Sequence, residues 1–334
     1  MMIVRHIPTS AELFCRQAVR CLSLVVLLLL LWGRAEYAAA QDDVQSSLYW
    51  AVPTLYNPAA AGSDSALHVA AFDRMQWVGV KNAPQTFFVS ADMPVRLRHR
   101  LHGIGLTAVN DQAGLFSTTY VSGQYAYRFD LWGGRLAVGG QAGLVNQTFR
   151  GGDIYIPDGD AWEPGDDALP TGDVSAMGFD CGAGLRYERG WWYGGVGALH
   201  LTATTLDLDE YAYSELVRTY YFHAGGNIPI RRTLFLLQPS VLVKTTWQTT
   251  QVDYTLRATY DRRFWGGLTY RPGDAVVLMV GADVKTFRFG YAYDIGISPL
   301  AKASDGSHEV LVAYTLQFDL DKKKKHPHKS IRIL

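Results

Sequence analysis

The run Val121-Ser122-Gly123-Gln124-Tyr125-Ala126-Tyr127-Arg128-Phe129 sets Val121, Tyr125, Tyr127 and Phe129 on one parity and Ser122, Gln124 and Arg128 on the other. Period-two alternation sends the two sets to opposite faces of a strand. The rhythm recurs through most of the chain: one set is rich in Tyr, Trp, Phe, Leu and Val, the other in Gly, Ser, Thr and Gln. A soluble sandwich turns the apolar set inward, whereas a membrane barrel turns it toward lipid and lines its lumen with the polar set. The alternation alone fits both.

The N-terminus separates them. Arg16 and Arg20 precede a greasy run from Cys21 to Trp32 that contains five consecutive leucines, Leu27 to Leu31, and Ala38-Ala39-Ala40 follows. A basic flank, a short apolar core and an A-x-A site predict a cleaved secretory signal peptide over residues 1–40. The run is too short for a spanning helix, which needs about 20 apolar residues. No later segment approaches that length, so an exported chain that enters a membrane must do so as a closed barrel. The expected fold is therefore all-β: a transmembrane outer-membrane β-barrel of about 14 antiparallel strands.

Composition agrees. Gly 33, Tyr 19 and Trp 9 are abundant, charged residues make up 19%, and formal net charge is zero, which argues against nucleic acid as a partner. Cys15 and Cys21 fall in the signal and leave Cys181 alone, so no intramolecular disulfide framework is expected. The chain then divides into a lead segment, 41–65, a barrel, 66–320, and a basic tail, 321–334, containing Lys322 to Lys325. The tail is too charged for lipid and is expected in the periplasm, solvated or docked to peptidoglycan or a periplasmic protein.

Turns and loops fall into two kinds. Asp130 to Gly134, Arg189-Gly190 and Arg271-Pro272-Gly273-Asp274 are tight turns by composition. Longer polar excursions run over 150–173, 206–214 and 298–306. The first carries Asp158, Asp160, Trp162, Glu163, Asp166 and Asp167, and the second carries Tyr211 and Tyr213. These aromatic and acidic positions are the candidate partner-binding surface, since loops on a rigid frame carry recognition. The acidic spacing does not match an EF-hand calcium loop, and no metal or cofactor is expected.

Short motifs punctuate the strands: Asn57-Pro58-Ala59 with Ala61-Gly62, Arg74-x-Gln76-Trp77-x-Gly79, Pro84-x-Thr86, Ser90, Pro94, Asp111 and Gly114, then Tyr293-Asp294 and Gly306-Ser307-His308-Glu309. Asn57-Pro58 favours a turn capped by the Asn side chain. Strand parity aims Arg74 and Gln76 into the lumen, where Asp111 or the neighbours of Asp73 are expected partners for the arginine. It aims Trp77 outward, at the headgroup level. Ser307-His308 could suggest a nucleophile and base, and His308-Glu309 a metal pair, but adjacent residues on a strand diverge. A hydrogen-bonding role at the strand mouth fits better, and no enzyme activity is expected.

In their order and spacing these motifs resemble the PorP/SprF family, outer-membrane proteins of the type IX secretion and gliding machinery of Bacteroidetes. The resemblance spans essentially the whole chain after the signal. It implies an outer-membrane barrel that binds the type B C-terminal domain of secreted cargo, such as an adhesin, and meets other secretion components. The rival reading is a passive porin, with inward Arg135, Gln141, Gln147, Gln238, Ser240 and Lys244 lining water. Many other inward positions are Gly or Ala, which leaves room for a plug, a bound peptide or strand bending.

Overall fold

The computed structural model describes residues 43–97, 100–153, 172–209 and 213–317, all within one compact unit, Gln41–Leu334. The predicted signal, the basic tail, Tyr211 and the acidic loop residues Asp158, Asp160, Trp162, Glu163, Asp166 and Asp167 lie outside the described residues.

Seventeen strands are described: β1 (Ala66–Met75), β2 (Gln85–Leu97), β3 (Arg100–Ala113), β4 (Phe116–Leu131), β5 (Gly134–Arg150), β6 (Asp173–Arg189), β7 (Trp192–Leu199), β8 (Thr205–Asp207), β9 (Tyr213–Glu215), β10 (Thr219–Gly226), β11 (Ile228–Pro229), β12 (Phe235–Thr245), β13 (Thr250–Tyr260), β14 (Phe264–Arg271), β15 (Ala275–Val284), β16 (Phe287–Gly296) and β17 (Ser307–Gln317). Setting aside the small β8–β9 hairpin and the two-residue β11, 17 − 3 leaves fourteen antiparallel strands. They form a closed ring, because β1 pairs with β17 and β10 pairs with both β7 and β12. The expected strand number stands. Two strands end earlier than their pattern suggests, because Trp77 and His200 take φ of +47° and +55° and leave the ladder.

The two parities fall where a membrane barrel requires. Ser122, Gln124 and Arg128 are buried, while Val121 and Tyr125 are 44% and 47% exposed on the outer wall. Leu106, Leu144, Phe179, Leu256, Leu268, Val280 and Val310 continue that apolar exterior. Rings cluster at the tight-turn rim, where Trp132, Trp191, Phe235, Tyr260 and Phe264 are exposed at the level favoured by amphipathic aromatics. Tight reversals at 132–133, 190–191 and 285–286 mark this rim, and the strand ends on either side of the long connections 76–84, 151–172, 200–218 and 297–306 mark the other. In outer-membrane barrels the short turns face the periplasm.

The lumen departs from a water-lined interior. Residues 43–62 run through it from the long-loop end to the tight-turn end, in three 3-10 turns at Tyr49–Ala51, Pro53–Leu55 and Pro58–Ala60. Leu48 and Val52 pack with inward Phe72, Phe88, Val109, Trp265, Val277, Met279 and Leu311. Tyr49 and Tyr56 pack with Leu199, Tyr221 and Leu242. Some inward positions are therefore apolar because they cradle a protein segment, so the middle of the barrel is a packed core.

Candidate functional site

The inserted segment and the wall that receives it form the site. Its anchor begins in sequence at Asn57, whose Nδ2 donates to the Leu185 carbonyl at 2.9 Å and the Val196 carbonyl at 3.2 Å. Its Oδ1 accepts from Ala59 N at 2.9 Å, capping the turn that Pro58 opens. An Asn before Pro can serve both ends because its side chain carries a donor and an acceptor. The expected turn is there, though inside the barrel and not at its rim. Gly62, at φ +60°, closes the segment by donating to Asp92 Oδ2 at 2.6 Å. Arg128 donates to the Ala61 carbonyl at the same end.

The wall opposite this turn is bare. Gly103, Ala126, Gly139, Gly184 and Gly197 follow one another in register across β3, β4, β5, β6 and β7. A methyl group added at Gly197 would stand 2.1 Å from the Tyr56 carbonyl oxygen, and one at Gly139 would stand 2.4 Å from Ala59 N. At Gly103, Gly139 and Gly197 backbone meets backbone, an approach that a side chain at these positions would block, while Gly184 makes room for the Asn57 side chain.

Toward the long-loop end a second row carries charge. Asp111, Thr86, Arg74 and Glu309 are register neighbours across β3, β2, β1 and β17. Arg74, 1% exposed, reaches Asp294 at 2.7 Å and Glu309 at 3.3 Å. Arg271, equally buried, holds Asp253 at 2.9 Å and Asp294 at 3.1 Å. The inserted segment closes the network. Ser46 Oγ donates to Glu309 at 2.6 Å, the Ser47 and Leu48 amides donate to it at 2.7 and 3.1 Å, and Ser47 Oγ donates to Asp294 at 2.8 Å. Two arginines and three carboxylates buried together are tolerable only because nearly every lone pair finds a donor.

Several expectations change here. Arg74 does face the lumen, as parity indicates, but its partners are Asp294 and Glu309 and not Asp111. Asp111 lies two strands further round and accepts from Thr86 Oγ1 at 2.5 Å. Gln76 is buried beside Arg74. Trp77 is not a strand residue facing lipid: it sits past Met75, half-buried, its amide donating to Ser307 Oγ at 3.1 Å. Pro84 accepts from the Gln76 amide at 2.9 Å, and the amide of Val78 donates to the Gly306 carbonyl at 2.8 Å. Gly79, Gly114 and Gly306 take φ of +93°, +62° and +88° at turns, while Ser90 and Pro94 line the inside of β2. His308 and Glu309 diverge as adjacent strand residues must. His308 Nδ1 meets the Tyr291 hydroxyl at 2.7 Å on the outer wall, opposite the buried Glu309. Of the proposed porin lining, Ser240 bonds Tyr49 and Lys244 bonds the Asp43 carbonyl, both on the inserted segment. Arg271 and Asp253 escape the motifs because the first reads as a turn residue and the second as an ordinary alternating one. Tyr213 is 74% exposed at the long-loop end.

The outer end of the segment is held by ionic contacts. Asp43 lies 3.7 Å from His200 Nε2, and His200 Nδ1 lies 2.9 Å from Asp180. Burial opposes ionisation of Asp43, but the charges of His200 and Lys244 and a hydrogen bond from the Tyr221 hydroxyl prevail and bring its carboxyl down to about 2. Burial likewise disfavours the imidazolium, yet Asp180 and Asp43 lift His200 to about 10. A raised histidine stabilises fully below its unfolded value, near 6.5, and loses that contribution as pH climbs through about 10. The lowered Asp43 contributes above an unfolded value near 3.9 and fails as pH drops through about 2. Amides of residues 44–48 are thus expected to exchange faster at pH 10.5 than at pH 6, after correction for intrinsic rates. In His200→Gln that pH dependence disappears; an unchanged profile in the variant would rule this anchor out.

The family model described as type IX secretion system membrane protein PorP/SprF matches residues 38–314, from before the inserted segment to the last strand. The chain belongs to the PorP/SprF family. A search of the curated proteins matches none of them. Among solved structures, this PorP/SprF chain is similar to the P. putida toluene transporter TodX, at 10% identity and TM-score 0.41, covering 78% of this chain and 92% of that one. It is also similar to a Pseudomonas aeruginosa FadL homologue, at 8% identity and TM-score 0.39, over 76% and 89%. BamA from Haemophilus ducreyi matches at 8% identity and TM-score 0.39, over 76% and 70%. These TM-scores add nothing to what the strand pairing shows. Family and closed barrel together place the PorP/SprF chain in the outer membrane as a component of type IX secretion.

Proposed function

We propose that this PorP/SprF barrel is a binding frame and not a conduit or an enzyme: it holds the C-terminal sorting domain of a secreted, adhesin-like cargo at its long-loop mouth. The observation that carries the reading is the inserted segment. A lumen packed with residues 43–62 has little use as a diffusive pore, which leaves rim and loops as the surface for a partner. On that side a cavity of about 290 Å³ is bordered by Asp43, Asp111, Phe116, His200, Glu215 and Leu216. Tyr213 stands exposed beside it, and in sequence the candidate residues Asp158, Asp160, Trp162, Glu163, Asp166 and Asp167 fall between β5 and β6 and Tyr211 between β8 and β9. A preorganised frame presenting acidic and aromatic groups suits an extended or β-rich partner.

Purification of the tagged barrel from outer membranes is expected to recover a large secreted chain, and deleting that chain's C-terminal domain should abolish recovery. Changing Asp158, Asp160, Asp166 and Asp167 together to Asn is expected to weaken retention about tenfold, the loss of one or two charge-assisted contacts. Recovery of the barrel alone, with steady ion conductance in a planar bilayer, would instead establish a porin.

A further inference from the structure

At the tight-turn end, on the opposite side of the inserted segment from the long-loop mouth, lies a cavity of about 190 Å³ whose walls include Trp50, Arg186, Tyr193, Asn227, Gln238 and Arg257. Its polar groups are unusual in what remains free. Arg257 places its guanidinium carbon over the Trp50 ring, 3.3 Å from the centroid, and makes no hydrogen bond or ion pair with any described residue. Its N–H edge is therefore open. Arg186 lies over the Tyr193 ring at 4.7 Å, its Nε donating to Glu188 at 2.6 Å and its Nη1 lying 3.3 Å from His223 Nε2, so it is more fully engaged than Arg257. The Gln238 carbonyl is taken by Thr259 Oγ1 at 2.9 Å and the Asn227 carbonyl by Gln238 Nε2 at 2.6 Å, which leaves the Asn227 amide N–H groups.

The two side-chain carbonyls in this wall are used up, while the Arg257 guanidinium and the Asn227 amide N–H groups are not. A guanidinium held on an aromatic face is fixed in position while its edge stays available, which is how arginine presents a fork to an oxyanion. The same unpaired cation in a partly desolvated lumen is costly without an anion. Apolar surface from Pro53, Pro239 and Leu242 borders the remainder of the cavity.

We infer that this cavity binds an organic anion reaching it from the periplasmic mouth, a carboxylate or phosphate on a small body, with its oxygens on Arg257 and Asn227 and its body against Trp50 and Tyr193. Trp50 belongs to the inserted segment, so occupancy of the cavity also holds that segment in place, by binding the seated state and not the released one.

The test titrates the folded, detergent-purified protein with inorganic phosphate and, separately, with N-acetylglutamate, followed by calorimetry. The two arms distinguish a phosphate ligand from a carboxylate one. At least one probe is expected to bind saturably and to slow proteolysis within residues 43–62. Arg257→Gln should weaken it at least tenfold and Asn227→Ala severalfold, whereas Arg263→Gln, on an exposed turn, should leave it unchanged. If Arg257→Gln fails to fold, the exposed Asn227→Ala decides alone. Failure of both probes to bind the native barrel overturns the inference, and so does binding that neither variant weakens. None of these results depends on the cargo reading.

Discussion

Arg74→Ala is expected to destabilise the barrel by about 3–5 kcal/mol, the usual consequence of removing one partner from a buried ionic network. Asp294 and Glu309, 3% and 0% exposed, would lose the guanidinium that sits between β1 and their own strands. Arg271 still reaches Asp294, but Glu309 would keep only the donors of the inserted segment: Ser46 Oγ and the amides of Ser47 and Leu48. A carboxylate with no countercharge in a dry interior takes up a proton or draws in water, and either change weakens its grip on those amides. The measurement is the unfolding midpoint of the purified barrel, together with the proteolysis rate in residues 43–62. The double variant Arg74→Ala/Glu309→Gln, which removes both charges, is expected to recover part of the loss. No recovery would mean that Arg74 acts by packing alone.

Gly197→Leu is the second large effect, and it acts by volume. The Tyr56 carbonyl occupies the place of the new side chain, and the neighbours in the row, Gly184 and Gly139, approach Asn57 and Ala59 as closely. Ordinary overpacking costs about 1–3 kcal/mol because side chains can shift. Here the obstructing atoms are backbone on both sides, so the segment must leave its seat. The barrel ladder itself is untouched, since the new side chain points into the lumen. Gly197→Leu is therefore expected to insert into membranes with its fourteen strands paired, and to conduct ions that the parent chain blocks. Gly194→Leu serves as the control. In the parent the nearest atom to a methyl there is 3.7 Å away, and conductance should stay at the parent level.

The fold lies close to the surface of the sequence. Alternation at Val121 to Phe129 and the leader-like N-terminus between them require lipid on the apolar side, and the parity of Arg74 and Gln76 places both inside. The divergence of His308 and Glu309 follows from the strand alone. Long-range pairing is another matter. Arg74 meets Glu309 only because closure of the ring puts β1 beside β17, and nothing local to either residue reports that closure. The receiving wall is hidden in the same way. Each of Gly103, Ala126, Gly139, Gly184 and Gly197 is an unremarkable small residue in its own strand. They become a groove only when four registers are aligned. Asn57-Pro58 announces a turn but not that the turn is inside. Trp77 misleads because parity holds only while the ladder continues, and β1 ends at Met75.

Thiol accessibility at position 52 bears most directly on the claim that the chain fills its own barrel. Val52 is 1% exposed, in the middle of the inserted segment. In a Val52→Cys variant whose native cysteines are replaced by Ser, a membrane-impermeant maleimide should label the folded barrel negligibly from either side and label it fully once the barrel is heat-unfolded. Rapid labelling of the folded barrel would show that residues 43–62 do not occupy the lumen.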